Sequence, residues 1–199
     1  MQLVSVSVIP FSYQPDTNTL EVFTNIEIVV NETESNSNRE SISLKRSRLF
    51  EKLYGDMIVN FEPSSRDEDY QHPAILYICG GNSCNETQNG INWVQELVDW
   101  RHQQGYIVNT ASLSETGNSS SSIKNYIQDA YYNWENPPEF ICLVGDASGS
   151  GNVPTVPTYN VGQGGQWGAN AESDLPYVLL EGDDLLADAF IGRMSVRSE

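Results

Sequence analysis

Residues 2–9 and 20–30 alternate between apolar and polar positions. In the second stretch Leu20, Val22, Ile26, Ile28 and Val30 share one parity, and Glu21 and Glu27 fall on the other. A period of two marks a half-buried strand. Tyr13-Gln14-Pro15-Asp16-Thr17-Asn18 supplies turn chemistry between the two stretches, so the start of the chain predicts a β-hairpin. A lone hairpin is marginal in water. It either packs on the next domain or ends a β domain that begins before this sequence. Residues 36–72 break the pattern: a polar run, a basic patch at Lys45-Arg46-Ser47-Arg48, a short amphipathic piece around Leu49–Tyr54, and the polar stretch Pro63–Asp69. They read as a linker between a first segment, 1–35, and a domain over 73–199. Exposed basic residues in a linker also make it a candidate processing site.

From residue 73 the pattern becomes β-α-β-α-β. Ala74–Cys79 is an unbroken apolar run, as in a strand buried on both faces of a parallel sheet. Residues 88–104 present Ile91, Val94, Leu97 and Val98 on one helical face, with Gly105 at the expected stop. Tyr106–Val108 forms a second strand. Residues 121–134 place Ile123, Tyr126, Ile127, Ala130, Tyr131 and Trp134 at helical spacing. Phe140–Val144 forms a third buried strand, and a loop rich in Gly, Pro and Asn then runs to about residue 175. Tyr177–Leu180 and Ala189–Ile191 read as two more short strands. There is no internal repeat. Strand–helix alternation predicts an α/β fold, a three-layer sandwich around a mainly parallel sheet.

Charge narrows the function. With 10 Lys+Arg against 27 Asp+Glu the net charge is -17, so a polyanionic nucleic-acid partner is excluded. Mean hydropathy is -0.40, and no apolar run approaches the roughly 18–20 residues of a membrane span. Met1–Ser5 shows no signal peptide. That leaves an intracellular protein or a chain that begins inside a longer one. Cys79 and Cys142 sit in apolar runs and read as small core residues, while Cys84 reads as a free thiol in a polar loop. Three cysteines make no disulfide framework. With only His72 and His102 present, a structural zinc site is not expected.

Two places could carry chemistry. Asp146 follows the strand Phe140–Val144, and ligands of open α/β sheets bind beyond the carboxyl ends of strands; it could equally be a turn Asp bonding its own backbone. Glu181, Asp183, Asp184 and Asp188 form an acidic run, and no Lys or Arg occurs between Asn125 and Gly192. Such a run is either a solvated turn or a calcium loop, since calcium takes six to eight oxygens from carboxylates and carbonyls. The glycines of Gly145–Gly151 lack the helix start and the Lys of a phosphate loop, so nucleotide binding is rejected. Neither histidine lies where it could activate a cysteine or serine.

Ordered blocks along the chain resemble one family. They are Trp100-Arg101 with Gly105, then Ile123-Lys124 with Tyr126-Ile127, Pro137-Pro138-Glu139-Phe140 leading into Leu143-Val144-Gly145-Asp146, Ser173-Asp174 with Tyr177, Gly182-Asp183-Asp184, and Phe190-Ile191-Gly192-Arg193-Met194-Ser195. This order is similar to that of the gingipain family of cysteine peptidases, from about residue 74 to the end. Residues 2–30, with Pro10-Phe11, Tyr13 and Pro15, resemble the last strands of that family's propeptide. The resemblance implies the first of two caspase-like catalytic subdomains of a secreted or cell-surface cysteine endopeptidase, acting on protein or peptide substrates. The family's catalytic His and Cys lie in the second subdomain, so no catalytic residue carries over and this chain alone is expected to be inactive. The resemblance also implies structural calcium, held by the side chains of Asp146, Asp184 and Asp188 and the carbonyls of Glu181 and Leu186, with Asp183 turned away. A non-catalytic calcium-binding α/β module and a sortase-like transpeptidase of the same family are the alternatives.

Overall fold

The computed structural model describes residues 6–29, 45–149, 153–160, 171–182 and 184–195. The chain divides into two compact units, Met1–Ser41 and Ile42–Glu199.

In the first unit β1 (Phe11–Gln14) pairs antiparallel with β2 (Thr19–Val22). The hairpin is the one expected, but its strands are shifted. Residues 6–10 are not a strand, and Tyr13 and Gln14, expected in the turn, finish β1. The turn itself is Pro15–Asn18. Asn18 adopts a positive φ of 51°, and its side chain accepts a 2.8 Å hydrogen bond from the Tyr13 hydroxyl. Phe11 faces Val22 and Tyr13 faces Leu20 across the strands. Side chains alternate between faces, so these four form one apolar face, with Ser12, Gln14, Thr19 and Glu21 on the other.

The second unit starts earlier than the expected boundary. Residues 36–44 lie outside the described residues, but 45–72 are built structure rather than linker. Ser47 caps α1 (Arg48–Met57) by accepting the Phe50 N–H at 3.2 Å. The helix is fixed by contacts that the exposed-linker reading did not foresee. Phe50 packs against Phe190 in a tilted pair with ring centroids 4.7 Å apart. Arg46 pairs with the buried carboxylate of Glu51, which also accepts from the Tyr70 hydroxyl. Arg46 exchanges backbone bonds with Asp69 and Gln71, at 2.8 and 3.0 Å.

The core is a four-stranded, wholly parallel sheet in the order β4-β3-β5-β8, made of β3 (Ala74–Cys79), β4 (Ile107–Ser112), β5 (Phe140–Val144) and β8 (Phe190–Met194). Alternation along β3 and β5 sends Leu76, Ile78, Ile141 and Leu143 to one face, where Ile123 and Ile127 of α4 (Ser120–Asn133) meet them. Ile75, Tyr77, Cys79 and Val144 go to the other, under Val98 of α2 (Trp93–Gln103). This is the α/β sandwich with a parallel sheet that the sequence predicts. Short elements complete it: α3 (Leu113–Thr116), and β6 (Tyr159–Asn160) paired with β7 (Glu172–Ser173).

Three local expectations change. The helix expected over 88–104 begins only at Trp93, because Asn89 and Gly90 turn the chain with positive φ and Asn92 caps the helix. Tyr177–Leu180 is not a strand; a 3-10 turn covers Leu175–Val178, with Pro176 in its first positions. Cys79 and Cys84 form a disulfide, which leaves Cys142 as the free cysteine.

Candidate functional site at the two edges of the sheet

In a parallel sheet all strands begin at one edge and end at the other. At the carboxyl edge, Gly80 follows β3 and Gly145 follows β5. A Cβ on Gly80 would lie 2.5 Å from the Thr155 carbonyl oxygen, and Gly145 has a φ of 145°. Asp146 is at this edge. Its N–H donates to the Pro154 carbonyl at 2.8 Å, and its carbonyl accepts from Val156 at 2.9 Å. Its carboxylate accepts the Ala147 N–H at 2.8 Å, which is the turn role weighed for it above. The Cys79–Cys84 disulfide closes the adjacent Gly-Gly-Asn-Ser loop, and Ser83 donates to the Val144 carbonyl at 3.3 Å.

Arg193, which no motif argument singled out for a role, is the main charge at this edge. It grips Asp174 in a fork, Nε to Oδ2 at 2.8 Å and Nη2 to Oδ1 at 2.7 Å. It also donates to the carbonyls of Gly145, Val156 and Pro157, at 3.1, 2.7 and 3.3 Å. A guanidinium has five N–H donors, and this one is fully engaged with its side chain 11% exposed. A signal was available: Arg193 is the first base after Lys124, and it sits inside a strand, where a charge needs partners.

The acidic loop lies at the opposite, amino edge. Phe140 is level with Phe190 and Val144 with Met194. Asp188 stands two residues before β8 begins and Asp146 two residues after β5 ends, so the two adjoin opposite ends of neighbouring parallel strands. Asp188 Oδ2 accepts the N–H groups of Leu180 and Glu181 at 2.7 and 2.8 Å. Asp184 Oδ1 accepts the Leu186 N–H at 2.8 Å, and Glu181 Oε1 accepts from the Tyr131 hydroxyl at 3.2 Å. Burial pushes the Asp188 carboxyl above its usual range, and the charges of Glu181 and Asp184 push the same way against the two N–H donors. Burial, with Glu181 and Asp188 beside it, likewise raises the Tyr131 phenol. Glu181 and Asp184 are thus near enough to Asp188 for their charges to act on it, and Leu186 is bonded to Asp184. Asp146 is not among them, and the five residues expected around one calcium do not form one shell. Asp183 lies outside the described residues. Among the described residues no three His, Cys, Asp or Glu side chains are already arranged to hold a metal ion.

The cysteine–histidine chemistry of a peptidase is likewise not assembled. Cys142 is held in mid-strand, and burial pushes its thiol up to about 11. His102 Nδ1 lies 3.1 Å from the Tyr106 carbonyl. Among the described residues no cysteine is hydrogen-bonded to a histidine.

The sequence profile of peptidase family C25 matches residues 69–199. The chain belongs to this family. Curated relatives include gingipain R1 of Porphyromonas gingivalis, 25% identical over 199 residues, a stretch that is 98% of this chain and 18% of the relative. Gingipain R2 of Porphyromonas gingivalis strain W83 is 23% identical over 201 residues, 98% of this chain and 24% of that protein. The chain therefore spans a quarter or less of the length of these relatives. The crystal structure of the Arg-specific cysteine proteinase gingipain R superposes with a TM-score of 0.50 at 19% identity, covering 69% of this chain and 27% of that one. That likeness shows a shared fold. No helix among the described residues is long and apolar enough to cross a membrane.

Proposed function

We propose that this C25 chain is part of a secreted cysteine-type endopeptidase. In this reading residues 1–35 are the end of a propeptide, and the parallel sheet from residue 73 onward is the first catalytic subdomain. The family match over 69–199 carries the reading, because it coincides with the sheet and both its helical layers. The reaction would be thiolate attack on a peptide carbonyl with a histidine base, and both groups would come from outside this chain. Secretion is supported by the Cys79–Cys84 disulfide, since such bonds persist in oxidising compartments. Calcium belongs to this proposal in a reduced form: the side chains of Glu181, Asp184 and Asp188, with carbonyls such as Leu186, would hold it once the loop draws in, and Asp146 has no part in it. Burial is the main cause that raises the Asp188 carboxyl, and the nearby charges of Glu181 and Asp184, which push the same way, support this reading.

The test compares two proteins on fluorogenic peptides. The whole gene product containing this chain is expected to hydrolyse them and to lose that activity on thiol alkylation. The 199-residue chain alone is expected to be inactive. Hydrolysis by the whole product that survives alkylation overturns the reading, as does alkylation-sensitive turnover by the chain alone.

A further inference from the structure

The strand order β4-β3-β5-β8 reverses direction between β3 and β5. In open α/β sheets the crevice beyond the carboxyl ends at such a reversal is where ligands bind. Here that space holds the protein's own backbone. Val153–Pro157 crosses it as an extended strap, with Pro154 and Val156 buried. The strap runs beside Asp146 like a short added strand: Asp146 donates to Pro154 and Val156 donates back to Asp146, at 2.8 and 2.9 Å, in a parallel bridge. The fit depends on missing side chains. A Cβ on Gly80 would come within 2.5 to 2.7 Å of the Thr155 backbone, and one on Gly145 within 2.9 Å of the Pro154 oxygen.

The far end of the strap is held by a charge. Arg193 donates to the carbonyls of Val156 and Pro157 on the strap and of Gly145 on the strand end, while Asp174 neutralises it. The Tyr177 hydroxyl adds a 2.6 Å bond to the Pro157 carbonyl. Carbonyl oxygens are weak partners for a buried cation without a counter-charge. The Arg193–Asp174 fork lets one guanidinium join three backbone carbonyls from two segments. The fork geometry is specific to arginine, because lysine offers a point charge.

We propose that the switch-point crevice of this subdomain is permanently occupied by the strap Val153–Pro157 and that Arg193 is the positioning residue that pins it there. The crevice is a closed structural joint, and the subdomain takes no small-molecule ligand at the place where this architecture usually does. The inference stands on the joint's own geometry and does not depend on the peptidase reading.

Hydrogen exchange of the full chain, read by mass spectrometry at single amides, tests it. In Arg193→Met the Asp146 and Val156 amides are expected to exchange about a hundredfold faster or more, as follows from leaving Asp174 unpaired. Ile78 and Leu143, in the middle of the sheet, should keep the parent rate. Gly80→Ala pushes on the strap without touching the arginine and should give the same local pattern. Arg193→Lys keeps the charge and should fall between parent and Arg193→Met; it carries the comparison if the methionine variant does not fold. Unchanged protection of Val156 in Arg193→Lys and Gly80→Ala overturns the proposal. So does equal loss of protection at Val156 and Leu143, which would make Arg193 a support of the whole fold rather than a pin for the strap.

Discussion

The two edges of the sheet solve the burial of charge in opposite ways. At the carboxyl edge a cation, Arg193, is surrounded by carbonyl oxygens and one carboxylate, and each of its donors has a partner. At the amino edge the buried charges are the carboxylates of Glu51 and Glu139, with Asp188 half-buried; Glu51 and Asp188 depend on donors lent by a hydroxyl, backbone amides and one arginine. Glu139 Oε2 still lacks a hydrogen bond. The carboxyl edge is therefore a joint in which every donor of the cation is matched by an acceptor. The amino edge should respond to protons and to cations.

The largest expected effect comes from breaking the joint. Asp174→Ala leaves Arg193 buried beside carbonyls only, and losing one partner of a buried pair costs about 3–5 kcal/mol. Glu51→Gln at the other edge should cost about 1–2 kcal/mol, because its partner Arg46 is 39% exposed and can turn to water. Urea unfolding of the two variants checks the contrast. Equal losses would mean that the two edges are not built differently.

Calcium sharpens the comparison from the other side. If the acidic loop binds it, the chain should gain about 2.7 kcal/mol at a hundredfold excess over Kd, seen as a higher melting temperature in calcium than in EDTA. Magnesium should substitute poorly, since it demands a tight octahedron. Asp184→Ala should remove the gain and Asp146→Ala should leave it, because the two residues stand at opposite edges. A gain lost in Asp146→Ala would put both acids in one shell and contradict the strand register. No calcium response in the parent removes the metal from the proposal.

The disulfide offers a smaller test at the carboxyl edge. Cys79 and Cys84 are separated by five positions, and closing so short a loop in the unfolded chain is worth about 2 kcal/mol. Cys84→Ser should lower stability by that amount without altering the calcium response. A lost calcium response would show that the edges are coupled.

These contrasts also mark what the sequence made legible. The apolar run Ala74–Cys79 and the helical spacing of Ile123, Ile127 and Ala130 announce their elements because burial imposes a period on them. Tyr177–Leu180 misleads because a short apolar run has no period of its own, and Pro176 tips it into a 3-10 turn. The acidic loop was visible as a charge run. Its distance from Asp146 was not, because that depends on which end of which strand each residue adjoins. A residue just after one strand and a residue just before a parallel neighbour lie at opposite edges, and charge counting carries no such information. The Cys79–Cys84 bridge had a signal that the cysteine count hid: two cysteines bracket Gly80-Gly81-Asn82-Ser83, a sequence suited to a tight turn.

Glu139 gives the finest test, because it isolates the response of the amino edge to protons. Burial raises its pKa above the usual glutamate range, and the nearby donors of Ser47, Gln71 and Ala74 pull it down without offsetting that rise. A raised carboxyl pKa means that the fold prefers the protonated acid. Below the unfolded-state pKa both states are protonated and nothing is lost. As the pH climbs from there through the raised folded value, the unfolded chain ionises first and stability falls; above that value the loss is constant. Asp188 shifts in the same direction, so the quantity to measure is the difference between parent and Glu139→Gln at each pH. Glutamine cannot ionise and keeps the size and one oxygen of the side chain. The variant should match the parent below the unfolded-state carboxyl pKa and be the more stable of the two near neutrality, as read by urea unfolding at each pH. A parent that instead gains on the variant as the pH rises would show that the donors, not burial, decide the state of this carboxyl.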